Sequence, residues 1–272
     1  MKHHPGNLGL KYYRLIVEPK LSNKIKAVTF DLWDTVISDE SDEPKRLAAG
    51  MRSKPDERFH TVFEALNAHQ PISTDELKAG YGVVNSAFVK CWKGHFITWT
   101  ARERLEVLFT GLGRTLPEAE MDALVLSHER MEVETPPDPI EGAKDAIAEL
   151  ASRYKLCVIS DTIVTPANGL RDWLEIHDLK QYFSGFAFSD EVGRSKPHRS
   201  MFDSAAQQLG SDFSEMVHIG DRDHNDVKGP QALGMKAVLF TAKRDNDKDT
   251  TSADAICERH ADLPGVIDAL SD

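Results

Sequence analysis

Residues 25–35, IKAVTFDLWDT, place a short apolar, β-branched run directly in front of two aspartates, Asp31 and Asp34. The run from Ile25 to Leu32 has the length and the side chains of a central strand in a parallel sheet covered on both faces. An ionised carboxylate is costly in apolar surroundings, so a buried strand that ends on carboxylates points to a use for them. Taken alone, the Asp31-x-x-Asp34-Thr35 spacing fits a turn or capping aspartate as well.

On either side of this strand the pattern differs. Residues 1–24 form an N-terminal extension in which Leu10 to Val17 has strand-like content, suited to a strand or an oligomer contact. Residues 54–134 read as almost wholly helical, over 55–69, 74–92, 101–112 and 117–133. Ser73-x-x-Glu76 and Thr100-x-x-Glu103 are capping boxes that mark two of the starts. After the break Thr135-Pro136-Pro137-Asp138-Pro139, helices alternate with short apolar strands. Helix 141–152 leads to strand Lys155–Ser160, 166–176 to 185–188, 198–209 to 216–220, and 225–233 to 236–240. The expected fold is α/β, a doubly wound, Rossmann-like parallel sheet core formed by 25–40 and 136–272, with an α-helical domain inserted at 41–135. The polar segment 242–254 reads as a mobile loop.

Composition narrows the function classes. The chain of 272 residues is 40% hydrophobic and 28% charged, ordinary for a globular protein, and carries a formal net charge of −11. That balance disfavours a nucleic-acid partner and suits a small molecule. Cys91, Cys157 and Cys257 are far apart, which predicts free thiols and a cytoplasmic setting. No apolar stretch is long enough to span a bilayer, so no membrane partner is expected. The adjacent His3 and His4 read as exposed residues rather than metal ligands.

In doubly wound sheets, ligands bind beyond the carboxyl ends of the strands. Four polar elements fall there: Asp31 with Asp34, Ser160 at the end of LCVIS, Lys196-Pro197 at a turn before a helix, and Asp221 with Asp226 after MVHIG. Ser160 alone would serve equally as a helix cap, and Lys196 alone as a solvated loop residue. The stretch Asp221 to Asp226 packs several carboxylates into one turn. Their mutual repulsion is most simply relieved by a hard divalent cation with oxygen ligands.

These four elements, in this order, resemble the signature motifs of the haloacid dehalogenase superfamily over residues 25–36 and 140–240, and the helical insertion after the first motif is similar to a type 1 cap. The resemblance implies a magnesium-dependent hydrolase, foremost a phosphatase acting on a small phosphorylated metabolite. Asp31 would be the nucleophile that forms an aspartyl-phosphate. Asp34 would be the acid and base toward the leaving oxygen and the water, and Ser160 and Lys196 would hold the phosphoryl group. Mg2+ would be held by Asp31, the Asp34 carbonyl and Asp221, with Asp226 as ligand or support. Two departures stand out: Asp161-Thr162 where relatives often have an amide, and Arg222 where many have a small residue, read as a partner of Asp223 or Asp226. A carboxylate at 34 favours an alkoxide leaving group over a halide, which needs no proton. Trp33 reads as a shield or a cap contact.

The segment 90–99, KCWKGHFITW, breaks helical periodicity and mixes cations with aromatics, fitting a polar, anionic substrate or plain helix packing. Two alternatives share the scaffold. One is a phosphomutase with the same residues, which a bisphosphate requirement would reveal. The other is a non-catalytic binding protein, disfavoured because the full set of carboxylates is present. No GxGxxG or Walker pattern follows the first strand, which argues against an ordinary nucleotide-binding domain.

Overall fold

The computed structural model describes Met1 and residues 24–271, so the Leu10 to Val17 strand expectation lies outside the described residues. Six strands form one sheet in the order β3-β2-β1-β4-β5-β6, with every pair parallel. They are β1 (Ala27–Phe30), β2 (Lys155–Ser160), β3 (Gly185–Phe188), β4 (Met216–Gly220), β5 (Lys236–Phe240) and β6 (Ala255–Cys257). The doubly wound expectation holds.

Side-chain alternation explains why these strands read as continuous apolar runs. Val28, Phe30, Leu156, Val158, Val217 and Ile219 enter one buried cluster with Ile147, Leu170 and Trp173. Ala27, Cys157, Ile159 and Met216 point the opposite way, into a second cluster with Met201, Phe202 and Ala205. Both faces are covered, so both sets of positions are mostly apolar, and the buried Thr29 and His218 on the second face pair with each other at 2.8 Å.

The stretch between β1 and β2 begins with the helices α1 (Glu43–Ala48), α2 (Lys54–His69), α3 (Thr74–His95) and α4 (Ala101–Gly111). It continues with α5 (Glu118–Glu129), α6 (Met131–Glu134) and α7 (Ala143–Ala151). The helices from α2 to α5 share a hydrophobic cluster of their own, including Val62, Leu66, Leu77, Leu105, Phe109 and Leu124. Thr100 and Glu103 form both halves of a capping box, while Ser73 accepts from the Glu76 N–H.

The structure differs from expectation in four places. The 90–99 segment stays helical as far as His95 and stops at Phe96, whose φ of 54° is left-handed. The expected helix 117–133 divides at Arg130, whose guanidinium pairs with Asp172. The expected helix 225–233 begins as a π-helix, Asp223–Lys228, before a short α-turn at Gly229–Gln231. The segment 242–254 is pinned rather than free: Gln231 donates to Ser252 O at 2.8 Å, Asp247 accepts from the Asp223 N–H at 3.2 Å, and the chain then enters β6.

Candidate active site

Parallel β1 and β4 are neighbours, so their ends bring Asp31 and Asp221 together, while the π-helix turns Asp226 back beneath them. This return depends on Gly220. A Cβ there would lie 2.4 Å from the Asp226 Cγ, a distance no side chain tolerates. One carboxylate oxygen from each of Asp31, Asp221 and Asp226 lies within 4.8 Å of the others, and all three residues are buried.

Lys196, brought in from the loop after β3, is the cation of this group. Its Nζ donates to Asp31 Oδ1 at 2.6 Å and to Asp226 Oδ1 at 2.7 Å. Burial alone would lower its pKa, but Asp226, Asp31 and Asp161 hold it above the ordinary lysine value. Burial also opposes ionisation of Asp226, yet Lys196 and His218, whose Nε2 is 3.2 Å away, hold its carboxyl well below the usual range. Asp31 goes the other way: burial raises it, with Lys196 in opposition. Thr35 donates to Asp31 Oδ2 at 3.3 Å and helps fix the carboxylate.

Asp221 is the least compensated of the three. Its Oδ2 is buried with no hydrogen-bond partner among the described residues, and the Arg222 Nε is 3.6 Å away. Burial, then Asp31 and Asp226, push its pKa up to about 8. Arg222 therefore pairs with Asp221, not with Asp223 or Asp226 as expected; its backbone N–H is what reaches Asp226, at 3.0 Å.

These groups line a cavity of about 320 Å³, the size of a small-metabolite site. Asp31, Trp33, Asp161, Lys196, Asp221 and Asp226 supply the sheet side, while Lys54, Arg58, Trp92 and Glu132 come from the helical stretch. Two residues expected in the site are not among its walls. Asp34 has a left-handed φ of 55°, and its Oδ1 accepts the Asp39 N–H at 3.2 Å; Trp33 faces the cavity instead. The left-handed residue redirects the chain, so a spacing that appeared to converge two carboxylates presents one carboxylate and one indole. Ser160 is fully buried and its hydroxyl donates to Asp161 O at 3.4 Å. The wall residue from that motif is Asp161.

Asp161 ties the two halves together. Its Oδ1 accepts the Lys196 N–H at 2.9 Å, and its Oδ2 accepts Trp92 Nε1–H, from α3, at 3.0 Å. Burial pushes its pKa up to about 6 against the pull of Lys196. In the 90–99 segment the residues divide their work: Trp92 reaches the cavity and stacks on Phe88, Trp99 packs against Phe88, and Lys93 sits over the Trp92 ring beside a neighbouring cleft. Lys54, which the sequence did not single out, is buried between Asp42 at 2.8 Å and Glu132 at 3.0 Å.

A model of the haloacid dehalogenase-like hydrolase family matches residues 25–234, and the chain belongs to that family. It is 30% identical to ribulose-1,5-bisphosphate 5-phosphatase of Halopiger xanaduensis over 45% of this chain and 51% of that protein. It is 31% identical to glyceraldehyde 3-phosphate phosphatase of Pyrococcus abyssi over 37% of this chain and 42% of that protein. The matches thus span about half the length of these curated relatives or less. Among solved structures, the 2-haloacid dehalogenase of Pseudomonas syringae pv. Tomato has the same fold, with a TM-score of 0.59 over 90% of this chain and 99% of that one at 21% identity. Among the described residues, no helix is long and apolar enough to cross a membrane.

Proposed function

We propose that this protein is a phosphatase that removes phosphate from a small phosphorylated metabolite, with Asp31 as nucleophile. The observation that carries the reading is the pairing of Asp31 with a buried ammonium, Lys196, beside two further carboxylates at the mouth of the sheet. The phosphatase names of the sequence relatives support the leaving group. A carboxylate at position 34 no longer does, because its side chain is taken up by the Asp39 N–H and is not among the walls of the cavity.

The uncompensated Asp221 Oδ2 and the crowding of three carboxylates fit a bound Mg2+, held by Asp31, Asp221 and Asp226. When bound, Mg2+ offsets the repulsion between the Asp31 carboxylate and an anionic phosphoryl group. Asp31 attacks phosphorus as the P–O bond to the ester oxygen breaks, the departing alkoxide taking a proton from solvent; water then cleaves the aspartyl-phosphate, releasing inorganic phosphate and restoring the carboxylate. Lys196 orients the Asp31 carboxylate and neutralises the phosphoryl oxygens as charge shifts onto them. Trp33 and Trp92 wall the cavity.

The test is release of inorganic phosphate from a panel of phosphorylated sugars, nucleotides and small acids, with and without Mg2+. Magnesium-dependent release that Asp31→Asn abolishes supports the reading; a folded protein inert toward every ester refutes it. The displacement of Asp34 from the cavity favours one second reading, attack of Asp31 on a carbon bearing halogen, where no leaving-group proton is needed. Halide release from small 2-haloacids, in place of phosphate release, would establish that reading.

A further inference from the structure

Arg58 is set apart from the other cations of the cavity by what it lacks. Lys196 has two carboxylates at hydrogen-bond distance, Lys54 has two, and Arg222 has Asp221 beside it. Arg58, from α2, lines the same cavity, yet its Nε and Nη2 are buried with no hydrogen-bond partner among the described residues. The carboxylate recorded near it, Glu132 Oε1, is 4.0 Å from Nη2 and already accepts from Lys54 at 3.0 Å; the other Glu132 oxygen accepts from Thr165. Burial consequently draws the Arg58 pKa below the ordinary guanidinium value, with Glu132 offsetting only part of it.

Among the described residues, the other side of Arg58 offers no counter-charge either. A small cavity of about 70 Å³ adjoins it, lined by Tyr81, Asn85, Arg104 and His128. The Arg104 guanidinium lies over the Phe88 ring and donates to Asn85 and to the Ile163 carbonyl, all neutral groups. Two arginines therefore face this end of the site, and its nearest carboxylate is shared. Leaving guanidinium donors buried and unmatched is expensive, and the cost is recovered when an oxyanion fills the fork.

We propose that Arg58 anchors a second anionic group on the substrate, a carboxylate or a further phosphoryl group, remote from the phosphoryl group delivered to Asp31. The inference rests on the phosphatase reading and narrows it from phosphate esters in general to doubly anionic ones. A planar fork of donors suits either oxyanion, and Arg58 at this position discriminates against esters whose far end is neutral.

The experiment compares alkyl phosphates of two to four carbons with the same chains ending in a carboxylate or in a second phosphate. Each is assayed as kcat/KM for phosphate release by the intact protein, by Arg58→Gln and by Arg58→Lys. The expected result is a preference of about 10- to 100-fold for doubly anionic esters, with the carboxylate and bisphosphate arms showing which oxyanion is preferred. Arg58→Gln should collapse that ratio toward one, and Arg58→Lys should restore only part of it. Equal handling of neutral and anionic tails by the intact protein overturns the subsite while leaving the phosphatase reading in place. Should no ester be hydrolysed, that reading fails on its own, and calorimetric titration with malonate, which has no phosphoryl group, still reads the subsite. Malonate binding lost in Arg58→Gln supports it, and binding that is absent or unchanged by the substitution overturns it. Melting curves of both variants establish that they are folded.

Discussion

The sheet and the helical stretch each present charged side chains to one cavity, but they balance them in opposite ways. On the sheet side, Asp31 and Asp226 share the Lys196 ammonium, and Asp221 and Asp161 stand beside them with Arg222 as the further cation, so carboxylates outnumber cations. On the helical side, Lys54 is neutralised by Asp42 and Glu132, while Arg58 is left with donors unmatched. Under the proposed phosphatase reading, the contrast assigns the two halves different ligands: the first a cation and the group transferred, the second whatever identifies the rest of the substrate. Trp92 and Asp161 join them through a 3.0 Å hydrogen bond, so the chemistry and the selection share a boundary residue.

The harshest way to break this comparison is to remove the ammonium. Lys196→Met leaves Asp31 and Asp226 buried without their counter-charge, and should cost about 10²–10³-fold in phosphate release. In metal-free buffer the same change should cost about 3–5 kcal/mol of stability, read by denaturant melts, since one partner of a buried ion group is lost. Full activity in Lys196→Met would contradict the assignment of the sheet side.

Acid provides a second probe, because each half buries a histidine whose pKa burial draws down to about 4. In the helical stretch, burial, then Arg58 and Arg104, lower His128 to about 4; beneath the sheet, burial lowers His260 to about 4. Their pKa values when unfolded lie near the ordinary 6.5, so between about pH 6.5 and 4 the unfolded chain binds more protons and stability falls as the pH drops. Asp221 and Asp161, raised to about 8 and about 6, act in the opposite sense, so the intact protein alone is ambiguous. The informative quantity is the difference between the intact protein and His128→Gln or His260→Gln, in melting temperature against pH. Each variant should show a shallower loss below about pH 6.5; an unchanged slope would mean that the histidine takes up its proton as readily in the folded protein as in the unfolded chain.

Asp34→Asn should have the smallest effect. The amide keeps the Oδ1 acceptor for the Asp39 N–H, and the side chain is not a wall of the cavity, so activity should fall by less than about tenfold. A general acid in its place would cost about 10²–10⁴-fold, and a loss on that scale would return Asp34 to the reaction.

Much of the sheet was legible because its signals are consecutive in sequence. Strands of apolar residues bounded by Asp31, Ser160 and Asp221 carry both the fold and the location of the site, and parallel pairing then fixes which ends meet. Orientation was less accessible. The left-handed backbone at Asp34 and the full burial of Ser160 go with an exchange of each expected wall residue for its sequence neighbour, Trp33 and Asp161. The helical side was legible as helices but not as a surface. In sequence, Arg58 is one charge among Asp56, Glu57 and His60 on an amphipathic helix, and only packing against Glu132, more than seventy residues away, shows that it lacks a full partner. The three-residue β6 escaped because so short a strand after a polar segment has no readable period.

The account stands most directly on covalent capture of the phosphoryl group by Asp31. A substrate found by phosphate release is mixed with the protein and Mg2+, quenched in acid within a turnover, and digested for mass spectrometry. The account predicts a phosphoryl mass increment on the peptide that contains Asp31, absent from Asp31→Asn. Steady phosphate release with no such adduct, and with Asp31→Asn fully active, would contradict it.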